Sequence, residues 1–380
     1  MRLIDAISAL LGLHVNCSQR DLGGPSRLRL ASPCDLCHVG LAKVLREGQS
    51  VSSITVQPDQ LLERVLSMEI VRVTERAAVS SARLRGVGQK NAADQAAVDA
   101  MRRELNRLPI DGTVVIGEGE LDEAPMLFIG EKVGSKSGPR VDIAVDPLEG
   151  TNLCANDMPG SIATLALAEA GTLLHAPDCY MEKIAIGPGY PKGTIDLDAP
   201  TEENILSLAK AKGVKPAQIT AILLDRPRHA DLIAAVRRVG AQVSLITDGD
   251  VAGVIHCAEP KAGIDIYLGT GGAPEGVLAA AALRCIGGQM QARLVIDSDE
   301  LRERALKMGI KDAKKKMEIA DMVRGDCLFA ATGVTTGPML DGVKFGREII
   351  ETDTVVMRSA TGTVRRVRGE HRDFSKFHLG

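Results

Sequence analysis

Two short acidic runs carry the residue types best suited to chemistry in this chain. Asp146-Pro147-Leu148-Glu149-Gly150-Thr151 follows an apolar, strand-like stretch from Val141 to Val145, and Gly117-Glu118-Gly119-Glu120-Leu121-Asp122-Glu123 follows another from Thr113 to Ile116. In α/β proteins, ligands gather outside the C-terminal ends of strands. Carboxylates collected there bind hard, oxygen-seeking cations such as magnesium or manganese. Three further segments place acids beside glycine or at a helix start: Lys90-Asn91-Ala92-Ala93-Asp94, Asp248-Gly249-Asp250 and Gly271-Gly272-Ala273-Pro274-Glu275-Gly276. Each alone reads as a solvated turn, or, for Asp94, as a favourable charge in the first turn of a helix. Together they point to metal-dependent phosphate chemistry, and so to a phosphatase.

Hydrolysis of a phosphate ester needs cations to neutralise the phosphoryl oxygens, a water held in line, and a grip on the rest of the substrate. The carboxylates supply the first. Asp122 with Thr151 is a pair able to orient the water, and Arg226-Pro227-Arg228-His229, just after an apolar stretch at 219–224, is a candidate for the third. Pro274 suits a first helical turn, which would set Glu275 among free N–H groups that bind phosphate oxygens.

The elements that must position these groups follow from periodicity. Residues 1–60 are weakly patterned and read as an N-terminal extension, one version being that translation starts near Val51. Ile70, Val73, Ala77, Ser81 and Leu84 fall on one helical face, and Ala97, Met101, Leu105 and Leu108 mark a second helix. Strand-like runs at Thr113–Ile116, Val141–Val145, Ile162–Leu167 and Lys183–Ile186 neighbour one another without helices, which suggests antiparallel pairing. Beyond a boundary expected near 198–201, helices at 201–212, 227–239, Val251–Cys257 and Pro274–Ile286 alternate with strands at Ile219–Leu224, Gln242–Ile246, Ile264–Leu268 and Ala292–Ile296, the pattern of a largely parallel sheet. Val364–Arg368 reads as a final exposed strand. The expected class is α/β, with a metal-binding part over 61–198 and a sugar-phosphate-binding part over 199–380.

Composition narrows the partners. A net charge of −3 over 380 residues gives no basic field for nucleic acid, and an aromatic content of 2% supplies few stacking platforms. No apolar run approaches the roughly 20 residues that cross a bilayer. Eight scattered cysteines without a signal-peptide pattern read as reduced thiols of a cytoplasmic protein. A homo-oligomer is the expectation for an enzyme of this size.

At these motifs the chain resembles the class II, GlpX-type fructose-1,6-bisphosphatases. The match runs from about Met68 to about Arg368 and includes, in order, Gly88-Gln89-Lys90-Asn91-Ala92-Ala93-Asp94, Ile116-Gly117-Glu118-Gly119-Glu120 through Leu127, Asp146 to Thr151, Pro227-Arg228-His229, Asp248-Gly249-Asp250 and Gly271 to Gly276. The Asp-Pro-Leu-Glu-Gly-Thr run is also similar to the signature of the wider lithium-sensitive phosphatase superfamily. The resemblance implies a layered α-β-α-β-α sandwich of the sugar phosphatase type. It implies hydrolysis of the 1-phosphate of fructose 1,6-bisphosphate to fructose 6-phosphate, in gluconeogenesis or the reductive pentose phosphate cycle. It implies Asp94, Glu118, Asp146, Glu149 and Glu275 as ligands of manganese or magnesium, with Lys90, Asp122 and Thr151 as water-activating and phosphate-side groups. Substrate contacts are implied for Glu149, Gly150, Thr151, Tyr180, Arg226, Arg228, Asp248, Asp250 and Gly272. Two departures stand out: Arg226 lies where family members often carry lysine, and the stretch between Ile296 and Leu301 is short.

Rival readings keep the same metals and change the pocket, as in a sedoheptulose-1,7-bisphosphatase, a dual sugar bisphosphatase or an inositol-phosphate-type phosphatase. A catalytically silent sugar-phosphate sensor would retain phosphate-binding groups while losing metal ligands, yet the full carboxylate set is present. Cys34-Asp35-Leu36-Cys37-His38 matches a haem-attachment pattern but lacks an export signal before it. Cys154 and Cys179 read as buried hydrophobes rather than nucleophiles.

Overall fold

A computed structural model of the chain describes residues 66–119 and 126–378. The N-terminal extension with Cys34 and Cys37, and the catalytic candidate Asp122, lie outside the described residues.

The helices are α1 (Leu66–Ala82), α2 (Lys90–Leu105), α3 (Thr151–Ala155), α4 (Thr201–Lys212), α5 (Ala230–Arg238), α6 (Asp250–His256), α7 (Ala273–Ile286), α8 (Asp299–Lys307) and α9 (Ile319–Met322). The strands are β1 (Asp111–Ile116), β2 (Lys132–Val133), β3 (Arg140–Glu149), β4 (Ile162–Glu169), β5 (Tyr180–Ile186), β6 (Thr220–Leu224), β7 (Gln242–Ile246), β8 (Ile266–Gly272), β9 (Gln289–Val295), β10 (Met317–Glu318), β11 (Cys327–Gly333), β12 (Lys344–Phe345), β13 (Ile350–Arg358) and β14 (Thr363–His371). They form two mixed sheets. One runs β12-β13-β11-β4-β3-β1-β2, with β14 also on β13, and the other runs β10-β9-β5-β8-β6-β7.

Period-two alternation explains the layering. On β3, Val141, Ile143 and Val145 join the apolar cluster made with α1 and α2, and on β4 Ala163, Leu165 and Leu167 do the same. The alternate residues Ala144, Ile162, Ala166 and Ala168 face a second cluster, which α7 fills from within. The inner face of the other sheet closes that cluster with Met181, Ala185, Tyr267 and Ala292. Its outer face, with Ile184, Ile186, Leu223, Ile266 and Leu268, packs on α4 and α5 through Ile205, Leu208 and Val236. The result is the expected α-β-α-β-α order. The middle of helix α7 is apolar all round, with Ala279, Ala280, Ala281 and Ala282 fully buried, as a helix between two sheets must be.

The pair expected at Val251–Cys257 and Ile264–Leu268 is present as α6, whose residues are all buried, and β8. Several expectations are corrected. The parallel run of the second half is confined to β7, β6 and β8, while β5, β8, β9 and β10 pair antiparallel. β1 and β3 in the first sheet are parallel. Across residue 198, β5 belongs to the second sheet and β11 to β14 return to the first. Helix 227–239 splits into a 3-10 turn at Pro227–His229 followed by α5. Leu84 lies in the turn after α1. No described helix is long and apolar enough to cross a membrane.

Candidate active site

A cavity of about 330 Å3 opens where the two sheets and α7 meet, and it is lined by Asp94, Glu118, Asp146, Glu149, Asp178, Asp248 and Glu275 together with Gly150 and Thr151. Seven carboxylates thus share one wall system, and none of the described residues lining it is basic.

The placement of Asp146 and Glu149 depends on an irregularity in β3. Asp146 pairs with Thr164 of β4, and Glu149 pairs with Ile162, so β3 takes one more step than β4 over this interval. In a regular strand, residues three apart face opposite sides. The extra residue is a bulge that turns both carboxylates to the same cavity. Pro147, which has no N–H to give to a ladder, sits at such a position without cost. The acidic run therefore lies within the irregular end of β3 rather than after the strand. Gly150 then turns the chain into α3, whose first residue is Thr151.

The other carboxylates arrive on separate elements. Glu118 follows β1. Asp94 lies on α2, past its first turn, which removes the simple charge–dipole reading of that residue. Glu275 stands in the first turn of α7 beside Pro274, as expected from the sequence. Asp248 occupies the β7–α6 turn, where it accepts hydrogen bonds from Gly249 N at 3.2 Å and from Asn152 Nδ2 at 3.3 Å. Glu149 Oε1 accepts from Val251 N at 2.7 Å, which ties β3 to the start of α6.

Burial and mutual repulsion push these acids up. Glu118 rises to about 8, through burial first and then the charges of Asp94 and Glu275. Asp146 and Glu149 are both raised well above the usual carboxylate range, through burial first and then neighbouring acids. Asp94 and Glu275 are likewise raised by burial, with the Lys183 ammonium offsetting part of the effect at Glu275. Glu275 Oε2 is buried without a hydrogen-bond partner among the described residues.

Such a wall suits a divalent cation. All its side-chain charges are hard oxygen donors, one oxygen is unpartnered, and the raised acids mark a site short of positive charge. No three described His, Cys, Asp or Glu side chains converge closely enough to enclose one ion by themselves. Magnesium commonly takes only one or two carboxylates, with water and substrate phosphate completing the shell.

Behind the wall lies Lys183, fully buried on the inner face of β5, which donates to Asp250 Oδ2 at 2.5 Å and to Gly272 O at 2.8 Å. Asp250 is therefore engaged beneath the cavity rather than on its surface. A Cβ at Gly271 would stand 1.8 Å from Asp250 Oδ2 and 3.1 Å from Lys183 Nζ, so no larger residue fits there. Gly271→Ala is expected to displace this ion pair, cost about 1–3 kcal/mol of stability and lower turnover; thermal melts beside phosphate-release assays check it.

The remaining candidates form an exposed ledge. Tyr180 is exposed, Arg228 stacks over its ring at 4.7 Å, and the same guanidinium donates to Thr270 O at 2.7 and 3.1 Å. Arg226 bonds the carbonyl of its neighbour Asp225, and Lys90 is exposed at the start of α2. His229 is turned inward, with Nδ1 donating to Leu224 O and Nε2 accepting from Thr270 N, both at 2.8 Å, an assignment of the tautomer that follows from these partners. Lys90, Tyr180, Arg226, Arg228, Asp250 and Gly272 do not line the cavity itself. Asp178 and Lys183 carried no role in the sequence reading. An acid before a strand looks like any solvated turn, and a lysine inside a strand gives no hint that it is buried. Cys154 and Cys179 are buried and their thiols are pushed up to about 11, as inert packing groups are.

Residues 64–371 match the family model described as bacterial fructose-1,6-bisphosphatase, glpX-encoded. The chain is 45% identical over 324 residues to fructose-1,6-bisphosphatase 1 class 2 of Escherichia coli strain K12, covering 82% of this chain and 96% of that protein. It is equally 45% identical, over 318 residues, to the D-fructose 1,6-bisphosphatase class 2/sedoheptulose 1,7-bisphosphatase of Prochlorococcus marinus strain AS9601, covering 80% of this chain and 95% of that one.

Proposed function

The chain belongs to the glpX-encoded family of bacterial fructose-1,6-bisphosphatases, and on that premise we propose a metal-dependent removal of the 1-phosphate of fructose 1,6-bisphosphate, carried by the carboxylate cavity. The observation that supports the metal is the cavity's charge. Seven carboxylates with no base among the described lining residues would repel a sugar bisphosphate. Asp94, Glu118, Asp146, Glu149 and Glu275 are the residues to hold magnesium or manganese. Bound there, the cations neutralise phosphoryl charge and lower the pKa of water.

The protein's own groups do the rest. The β3 bulge and α7 hold Asp146, Glu149 and Glu275 on rigid elements, so the donors need little rearrangement when substrate arrives. Thr151, at the mouth of α3, orients the phosphate side of the substrate, with Asp122 and Lys90 as its expected companions. Tyr180, Arg226 and Arg228 offer an exposed aromatic and cationic ledge for the sugar and its distal phosphate, and Asp248 stands at the cavity edge. Gly150 and Gly272 present backbone rather than side chain to the substrate. A homo-oligomer, a cytoplasmic location and membership of the lithium-sensitive superfamily belong to the same proposal. Lithium inhibition at millimolar concentration would support the last.

A dual activity is the second reading, favoured by the name of the Prochlorococcus relative. Phosphate release from fructose 1,6-bisphosphate and sedoheptulose 1,7-bisphosphate, each with magnesium, manganese or chelator, tests both. Metal-dependent release from the fructose ester is expected, and the ratio of rates separates single from dual function. No release from either ester with either metal would overturn the proposal.

A further inference from the structure

Leu127 is fully buried and has a φ of 53°, the left-handed region that bulky side chains avoid. Two bonds surround this residue. Its N–H donates to Glu131 Oε2. Its carbonyl accepts from the N–H of Glu118 at 3.0 Å. The approach is so close that a Cβ at Gly117 would lie 1.9 Å from Leu127 O. Glu131 is itself buried and takes Arg102 Nε on its other oxygen at 2.6 Å. Arg102 lies on α2, the helix that carries Asp94. The backbone of Glu131 is fixed to β1, its carbonyl accepting from Val114 N at 2.9 Å.

We infer that Glu131, clamped by Arg102, is a positioning residue for the cation-binding carboxylate Glu118. An unfavoured backbone conformation persists where its surroundings over-determine it, and such sites cluster beside functional groups. Here the surroundings are a buried carboxylate aimed at the Leu127 N–H, and the beneficiary is the next residue along the bond chain, Glu118. The same clamp joins β1 and α2, so it fixes Glu118 and Asp94 relative to one another. Both carboxylates line the same cavity. The hydrogen bonds between the Glu118–Gly119 and Leu127–Ile129 segments continue the arrangement, since Ile129 N donates to Gly119 O at 2.9 Å and Ile129 lines the cavity. Glu131 does not line the cavity and acts through the backbone it holds.

The inference rests on the reading of Glu118 as a metal ligand, and the test separates the two. Manganese is titrated into the metal-free full chain and followed by calorimetry. The manganese concentration for half-maximal phosphate release is measured in parallel. Three variants grade the clamp: Glu131→Leu removes both bonds, Glu131→Gln keeps an acceptor for Leu127 N–H, and Arg102→Met removes only the outer partner. Manganese affinity is expected to fall roughly tenfold or more in Glu131→Leu, as for other groups that orient metal ligands, and by less in the other two. Half-saturation should shift in the same order, while kcat at saturating manganese recovers. Wild-type affinity in every variant that folds, whatever its melting temperature, overturns the inference and leaves Glu131 a packing residue. If Glu131→Leu does not fold, unchanged affinity in both Glu131→Gln and Arg102→Met has the same force. Failure of the wild-type chain itself to bind manganese overturns the metal site, and this inference with it.

Discussion

Asp146→Asn is expected to lower kcat for phosphate release by at least about 100- to 1000-fold, the scale on which single charge-stabilising groups act, while the chain stays folded. Asp146 is held up first by burial, and it also feels the charges of Glu118, Glu275 and Asp94. The amide has the same shape but no charge to give a cation. Its backbone carbonyl still accepts from Thr164 Oγ1 at 3.2 Å, so the register of β3 on β4 is kept. Removing an acid whose ionisation burial already opposes should not destabilise the metal-free protein. The check is kcat at saturating manganese together with a thermal melt in chelator. Near-normal turnover would mean that the chemistry happens elsewhere.

Removing the metal should have a pH-dependent effect of known sign. Glu118 rises from 4.5 to about 8 in the folded chain, and Asp146, Glu149 and Glu275 are also raised. Between those limits the folded state holds more protons than the unfolded state. Stability from these groups is therefore fully present below about 4.5 and is lost as the pH climbs through about 8. A divalent cation binds the ionised form and opposes that loss. In chelator, the melting temperature is expected to fall from pH 5 to pH 8.5. Saturating manganese should raise it by roughly 5 °C or more at pH 8, and by less at pH 6. A manganese shift that is equal at both pH values would show that these carboxylates do not carry the binding. Phosphate release should vanish in chelator throughout.

The carboxylate segments could be read from sequence because each pairs acids with a local signal, a preceding apolar run, glycine or a helix-starting proline. All five implied ligands do line one cavity. The layered order was implied by the family resemblance alone, because β3 and β4 are buried on both faces and carry no wet side to mark a layer. The second half is less parallel than expected because β5, distant in the chain, inserts antiparallel beside β8 and carries β9, also antiparallel, on its other edge. Lys183 was invisible for another reason: its value lies in Asp250 and Gly272 O, partners 67 and 89 residues away. The Leu127–Glu131 contact was equally hidden, since positive φ at a leucine has no signature in composition.

The bulge in β3 makes the acidic run a ruler as much as a recipe. Two acids three positions apart reach the same cavity only because the neighbouring strand advances by two over that interval. The inherited quantity is thus a count. An apolar exchange at Leu148 leaves it intact, whereas loss or gain of one residue between Asp146 and Glu149 would swing one carboxylate into the apolar layer under α1 and α2, with every letter of the remaining motif still in place.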